Sequence, residues 1–550
     1  MSDYVYKPHE KPLMVGSPAS PDHPTTRRVA YLLIAVLIGI TGGFQNGLLM
    51  ANLPQIQGAL ELTPEQGGWL TAAYTMTNAC MSMLLFKVRQ QFGLDRFVRM
   101  AMVALVLANG LQLFNTSNYG LELLARGIGG FVGSALSTLC MFYFMQGLPA
   151  KARIAGLLLG TGVTQIATPL ARVISPELLA DGNVTHLFQL QFGLSLATLG
   201  AVRWLHLPQG DTADVFEWLD ILSFGLFAMG IALLCAYLVQ GRILGWETPW
   251  LGWALAGAIV CTGTSLLIER NRHNPMMMVG WMTSGQILAF AFTGAMLRVL
   301  LSEQTAGAAG LMSTLGMSNN QMIGFYGVIT VATIAGLLLS VVQLDPTDLT
   351  RPVLVALALV ALGAFMDVGA SNLTRPAQLY VSQAVIAFAA IYFMGPMMLE
   401  GMLRALAKGP QYIISFSAVF GISQALGGLA GAAGLAQFQT WRAKAHAIEL
   451  GTHALTTDPL VAQRIQQQSS ALASSLTDPL ARQAQGSAAL VQQIWREANV
   501  LAFNDVFLLI GACALLALAV MSAMWVNNRL RGYNPLAQEL AAIKAMMERK

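Results

Sequence analysis

Residues 121–145, LELLARGIGGFVGSALSTLCMFYFM, form an apolar run that holds a single arginine, Arg126, among glycines at 127, 129, 130 and 133. A helix needs about 20 predominantly apolar residues to cross a hydrocarbon core of roughly 30 Å, and this run is long enough. An arginine at that depth costs about 3 kcal/mol or more unless it meets a partner or faces a cavity. The stretch therefore reads as a membrane-spanning helix that carries a functional residue.

Thirteen similar runs lie on either side of it. They fall at about 31–52, 66–86, 99–115, 154–174, 187–206, 218–240, 249–269, 282–302, 321–343, 352–371, 377–399, 412–436 and 501–527. The whole chain is 55% hydrophobic and only 11% charged over 550 residues, where soluble domains carry about 25% charged residues. The expected fold class is an all-α integral membrane protein with fourteen transmembrane helices.

Lys and Arg in short loops are retained on the cytoplasmic side. With the N-terminus inside, Lys87, Arg89, Arg96, Arg99, Lys151, Arg153, Arg203, Arg270, Arg272, Arg351, Arg404 and Lys408 all fall in cytoplasmic loops or at their edges. Short loops on the other side hold only Arg242 and Arg375. Fourteen crossings return the C-terminal tail, 528–550, to the cytoplasm. Residues 1–28, with five prolines and no apolar run, read as a disordered cytoplasmic arm.

One long segment, 437–500, is then left outside. It contains the near-repeat TDPL at 457–460 and 477–480, which puts Asp458 and Asp478 at helix N-caps with Pro459 and Pro479 at the first helical position. A helical insert is expected: one helix continuing from the thirteenth segment through Trp441 and Ile448, a middle piece from Asp458, and a last one running from Asp478 into the fourteenth. Ile465, Leu472 and Leu476 are spaced to share one face of it.

The five cysteines all lie in predicted membrane segments, so no disulfide framework is implied. The seven histidines show no ligand spacing and no metal site is expected. Nucleotide and hydrolase motifs are absent, which argues against ATP hydrolysis or other enzymatic activity by this chain. No cofactor is expected beyond protons as coupling ion, and no nucleic-acid partner; membrane lipid is the expected surroundings. Of the 31 Lys and Arg, once those in loops, tails and at the cytoplasmic segment edges are set aside, Arg126, Arg172 and Arg298 remain inside predicted membrane segments. Each is a functional candidate, against the alternative that it snorkels or ties helices together.

Three features resemble the fourteen-helix drug:proton antiporters of the major facilitator superfamily, and the EmrB-type branch in particular. They are L-x-x-x-x-R-G-I-G-G (Leu121, Arg126, Gly127, Gly130), G-L-L-M-A-N-L-P-Q-I at 47–56, and the long outer loop ending in R-E-A-N-V-L-A-F-N-D-V-F-L at 496–508. The resemblance implies a six-helix bundle over 29–208, two inserted helices over 209–275, and a second bundle made of 276–436 and 501–527. It also implies that segments one, four, nine and twelve line a central cavity. Gln45, Asn46, Arg126, Gln286, Arg298 and Gln383 are then candidates for substrate contact. Gly93, Arg96, Pro169 and Arg172 occupy motif positions tied to gating, and Glu122 and Glu303 are candidates for proton coupling. Buried cations with few buried carboxylates favour anionic or neutral amphipathic solutes.

The sequence also departs from the family. Gln45 replaces the acidic residue of the first helix, Phe86 and Gln90 replace a glycine and an aspartate after the second, and Arg172 replaces a glycine in the fifth, where T-P-L-A-R-V stands at 168–173. The resemblance implies export of toxic amphipathic aromatics across a bacterial inner membrane, driven by protons, with a periplasmic membrane-fusion adaptor and an outer-membrane channel as partners. A dedicated exporter of one metabolite, such as an aromatic acid or siderophore, is the alternative that the departures favour.

Overall fold

The computed structural model describes residues 10, 12, 15–115, 118–409, 411–454, 457–471 and 476–548. Its first part comprises α1 (Thr25–Ala51), α2 (Leu53–Ala59), α3 (Pro64–Phe92), α4 (Leu94–Phe114), α5 (Tyr119–Gly147), α6 (Arg153–Leu178) and α7 (Thr185–Trp204). The pair α8 (Trp218–Leu244) and α9 (Pro249–Arg270) follows. After the short α10 (Val279–Met282) come α11 (Gly285–Leu300), α12 (Ala309–Thr314), α13 (Ile323–Val342), α14 (Thr350–Asp367), α15 (Tyr380–Tyr392) and α16 (Met394–Lys408). The chain then runs through α17 (Tyr412–His453), α18 (Pro459–Ala471), α19 (Pro479–Leu530) and α20 (Ala537–Glu548).

Among the described residues, twelve helical stretches are long and apolar enough to cross a membrane. The other two predicted segments are helical as well, in α3 and α7, but less apolar. The reason is clearest in α3, where no described side chain from Gln66 to Gln91 is exposed. It is wrapped by α5, α8 and α17, so it needs no apolar face toward lipid. Elsewhere large apolar side chains such as Val103, Ile259, Phe292, Val331 and Leu516 stand exposed, the surface that a hydrocarbon solvent requires.

Helices α1 and α3–α7 pack as one bundle around Tyr31, Ile38, Phe97, Leu136 and Tyr143. Helices α11–α17 and α19 pack as a second around Leu357, Ile386, Phe393 and Val506. Glycine notches set the approach of the helices. A Cβ on Gly43 would collide with Ala167 and the Thr164 carbonyl, and one on Gly130 with Thr77 and the Tyr74 carbonyl, so α1 lies tight on α6 and α5 on α3. The bundles meet through α6 against α13 and α16, and through α3 against α17.

Both described ends of the chain lie at one face, the terminal face. At 42 and 52 residues, α17 and α19 are about 63 and 78 Å long at 1.5 Å per residue, so both overshoot a membrane core at the opposite, insert face. Asp458 and Asp478 accept from the Leu460 and Leu480 N–H groups at 2.8 and 3.0 Å, opening α18 and α19. Leu472, one of the three residues predicted to share a face there, lies outside the described residues.

The expected disordered arm is a docked strap over residues 15–24. Gly16 and Ala19 donate backbone hydrogen bonds to Asp211 and Gln209 at 2.9 and 3.2 Å, and Gln146 donates to the Ala19 carbonyl at 2.8 Å. His23 Nε2 lies 2.9 Å from Gln146 Oε1, and its ring centroid 4.9 Å from that of Tyr31. Backbone pairing with the 205–217 linker, rather than the strap's own hydrophobicity, holds it down, which is why composition pointed the other way. The tail also folds: Leu536 and Leu540 of the α20 region pack on Leu399 and Leu403.

Burial holds His23 below its ordinary value of 6.5, with Arg27, Arg153 and Arg28 pushing the same way against the Gln146 hydrogen bond. A histidine depressed in the docked state supports docking fully above its free value and loses that support as the pH falls. Amide hydrogen exchange across residues 15–24 is expected to accelerate below about pH 6.5 beyond the intrinsic chemical rate. In His23→Asn that extra pH dependence should vanish; if it persists, His23 is not the cause.

Candidate functional site

The first polar cluster sits inside the first bundle. Asn118 caps α5 by accepting from the N–H groups of Gly120 and Leu121. Glu122 follows in the first turn, buried, accepting from Gln112 Nε2 of α4 at 2.7 Å. One turn further, Arg126 is 1% exposed. Its guanidinium donates to the Gln45 carbonyl and, at 3.0 Å, to Asn46 Oδ1. It also lies 4.9 Å from the centroid of the Tyr74 ring. Among the described residues no carboxylate forms an ion pair with it. The hydrogen bonds of the guanidinium go to neutral oxygens and its face to an aromatic ring, with Glu122 one turn away on the same helix.

The second cluster joins three helices of the other bundle. Gln383 of α15 donates from Nε2 to Glu303 Oε1 and Oε2 at 3.1 and 3.2 Å and to Asp367 Oδ2 at 2.8 Å. All three side chains are buried. Glu303 opens a single π turn, Glu303–Ala308, between α11 and α12, and Asp367 closes α14. Gln304 donates to the Gln383 carbonyl at 3.3 Å.

The remaining candidates are dispersed. Arg172 donates to the Met50 carbonyl at 3.2 Å and stacks 4.9 Å from the centroid of Tyr326, so it ties α6 of one bundle to α13 of the other. Pro169 lies in α6 one turn earlier. The gap beside Arg172, lined also by Ala51, Ser175, Asn319 and Tyr326, is too narrow to admit even a water molecule and is not a ligand pocket. Arg298 lies against the notch of Gly427 and Gly428 on α17. Gln286 is exposed in the first turn of α11, where its carbonyl accepts from Arg404 at 3.1 Å. Gly93 has φ +79 and turns the chain between α3 and α4, whereas Arg96 is exposed. In the terminal half the bundles are in contact: Leu337 fills the space over Gly162, and Leu158 that over Gly395.

A third cluster was not foreseen as a unit. Asp220 at the start of α8 accepts from Lys87 of α3 at 2.6 Å and from Arg272 at 2.8 Å. Arg272 also pairs with Glu269 at 2.9 Å and Glu217 at 2.7 Å. Glu269 in turn accepts from the Met276 and Met277 N–H groups. Burial would lower the Arg272 value, but the carboxylates of Glu217, Asp220 and Glu269 outweigh it and raise it. The sequence signal for this cluster was the pair of acids flanking two apolar runs, with Glu269 and Arg272 three residues apart.

No protein-family profile matches the chain. The Methylenomycin A resistance protein of Bacillus subtilis is 24% identical over 295 residues, 50% of this chain and 62% of that protein. The Major facilitator superfamily multidrug transporter mfsC of Aspergillus fumigatus is 24% identical over 282 residues, 50% of this chain and 53% of that one. The matched stretches thus span less than two thirds of either relative. Among solved structures, the human organic anion transporter MFSD10 (TETRAN) superposes with a TM-score of 0.53 at 13% identity, covering 90% of this chain and 100% of that one. A bacterial homologue of the human drug peptide transporters PepT1 and PepT2 gives 0.53 at 13%, covering 90% and 99%. The fold is that of the major facilitator superfamily.

Removing Arg272 would leave three carboxylates around Lys87 alone. Arg272→Met is expected to destabilise the protein by about 3–5 kcal/mol, the usual cost of breaking a buried ion network. Thermal unfolding in detergent should show the loss, with a smaller drop for the exposed Arg96→Met.

Proposed function

We propose that this chain is a proton-driven exporter of toxic amphipathic compounds, preferring anionic or neutral aromatics, in the inner membrane of a bacterium. The observation that carries the reading is Arg126: a cation buried within a membrane-type bundle, hydrogen-bonded to Gln45 and Asn46 and set against the Tyr74 ring, with no ion pair among the described residues. A cation so held repels lipophilic cations and attracts anions. The names of the two relatives, one a resistance protein and one a multidrug transporter, point to export of toxic compounds. In this reading α3 and α7 complete fourteen crossings, the terminal face is cytoplasmic, and the charge bias of the short loops sets the orientation.

The insert helices would meet a membrane-fusion adaptor, and through it an outer-membrane channel. Trp441, Ile448, Leu460 and Leu480 are exposed there, a set of apolar anchors on helices that project beyond the membrane core. Deletion of 445–490 is expected to spare membrane insertion and abolish resistance in whole cells; intact resistance would remove the adaptor from the scheme. The alternative, export of one dedicated metabolite, is favoured by Gln45, which cannot titrate, and by Arg172, which closes the insert side against Tyr326. A narrow substrate range would select it.

The deciding experiment is uptake into everted vesicles with an imposed pH gradient, comparing labelled benzenesulfonate with tetraphenylphosphonium. Gradient-dependent uptake of the anion and not the cation is expected. Arg126→Gln should lower it more than about tenfold, and Arg126→Lys should not restore it, because an ammonium lacks the planar fork that reaches both Gln45 and Asn46. Equal uptake of both ions, or an indifferent Arg126→Gln, would defeat the reading.

A further inference from the structure

We infer that Glu303 and Asp367, bridged by Gln383, are the coupling site of this transporter and exchange one proton per cycle. The inference rests on the proton-driven reading above and assigns the ion to the second bundle, away from Arg126.

Two constraints fix the charge of the pair. Both carboxyl groups are buried, at 0% and 3% exposure, and among the described residues neither has an ion-pair partner. Of the charged groups on packed helices, Asp505 of α19 is taken by Arg442 and His446 of α17 at 2.6 and 2.7 Å. Arg298 turns to the glycines of α17, Glu497 accepts from Asn372, and Arg404 pairs with Glu400 at 2.5 Å. Two unpaired anions sharing one amide in such an interior repel and are not both sustained, so the pair retains a proton.

The opposite limit comes from Gln383. Its Nε2 is spent on three carboxylate oxygens, while its Oε1 is buried without any donor. Leaving a buried carbonyl unmatched costs about 1–3 kcal/mol. Bonds to neutral acids do not repay that, but charge-assisted bonds to an anion do. The arrangement therefore holds one proton and one negative charge. Taking up a second proton from the insert side makes the pair neutral; releasing it to the terminal side restores the anion. No other bond changes, and the net transfer is one proton for each cycle.

The three groups come from α14, α15 and the junction of α11 and α12, the last at the π turn. Protonation is thereby sensed by three helices at once, through one amide. Gln383 is a positioning residue here, and the carboxyl groups carry the proton.

Two measurements test the assignment. Infrared spectroscopy of the purified protein at neutral pH should show the C=O band of a protonated, buried carboxylic acid, and the double variant Glu303→Gln/Asp367→Asn should lose it. Persistence of the same band in the double variant overturns the inference. In everted vesicles, Asp367→Asn should lower gradient-driven benzenesulfonate uptake by at least about tenfold. Benzenesulfonate counterflow, which needs no net proton movement, should stay within about twofold of wild type, and Asp367→Glu should recover part of the driven uptake. Retention of driven uptake in both Asp367→Asn and Glu303→Gln overturns the inference, and so does parallel loss of counterflow in protein that remains folded. Absence of gradient-driven uptake in the wild type would instead defeat the exporter reading, and the infrared band would still decide whether the pair holds a proton.

Discussion

Hydrocarbon supplies no hydrogen-bond partner and screens no charge, and that constraint organises everything else in this molecule. It forces the chain into helices, so that each backbone group is matched within its own segment. It also makes every buried ionisable group answer for its charge. Arg126 does so with a carbonyl, an amide and a ring; Lys87 and Arg272 do so with carboxylates. Glu303 and Asp367 have no cation partner among the described residues and share an amide. Each solution requires helices to approach closely, and the glycines at 43 and 130 allow it.

Much of the architecture was legible because a membrane-spanning helix is a local property. Length and apolarity locate most of the helices, and Asp-Pro pairs at 458 and 478 mark the starts of α18 and α19. Legibility fails where polarity reports surroundings rather than conformation. Helix α3 is polar because protein encloses it. The strap at 15–24 reads as disordered because its order is borrowed from the linker at 205–217 through backbone hydrogen bonds. The tail folds as α20 because Leu536 and Leu540 find Leu399 and Leu403.

The sites were legible one residue at a time. Glu303, Asp367 and Gln383 each stood out as polar groups in apolar runs, yet nothing local joins residues 64 and 80 positions apart. Gln286 has the same composition signal as Gln383, but it sits in the first turn of its helix and is exposed, whereas Gln383 is buried. Depth along the helix separates the two, and depth depends on where the helix begins, which a sequence reading places only to within several residues. The π turn at Glu303 is a further step beyond local pattern; Gly307 within it lies against Phe507, and Gly310 of α12 against Phe503.

The interactions are also sorted by strength. Among the described residues, every buried ionic or carboxylate network lies within one bundle, or between the first bundle and the inserted pair α8–α9. Arg126, Glu122 and Lys87 belong to the first bundle, and Glu303 and Asp367 to the second. The contacts that cross between bundles are of another kind: Leu337 over Gly162, Leu158 over Gly395, and Arg172 on the Tyr326 ring. Breaking a buried ion pair costs about 3–5 kcal/mol, whereas a cation–π contact contributes about 0.5–2 kcal/mol. Separating the bundles at either face thus disturbs the weaker contacts and leaves the ionic ones in place. A change in the charge of one bundle, such as a proton gained at the carboxyl pair, needs only to shift the balance among those weak contacts. That sorting leaves weak contacts on the seam between the two bundles and keeps the buried charged groups inside them.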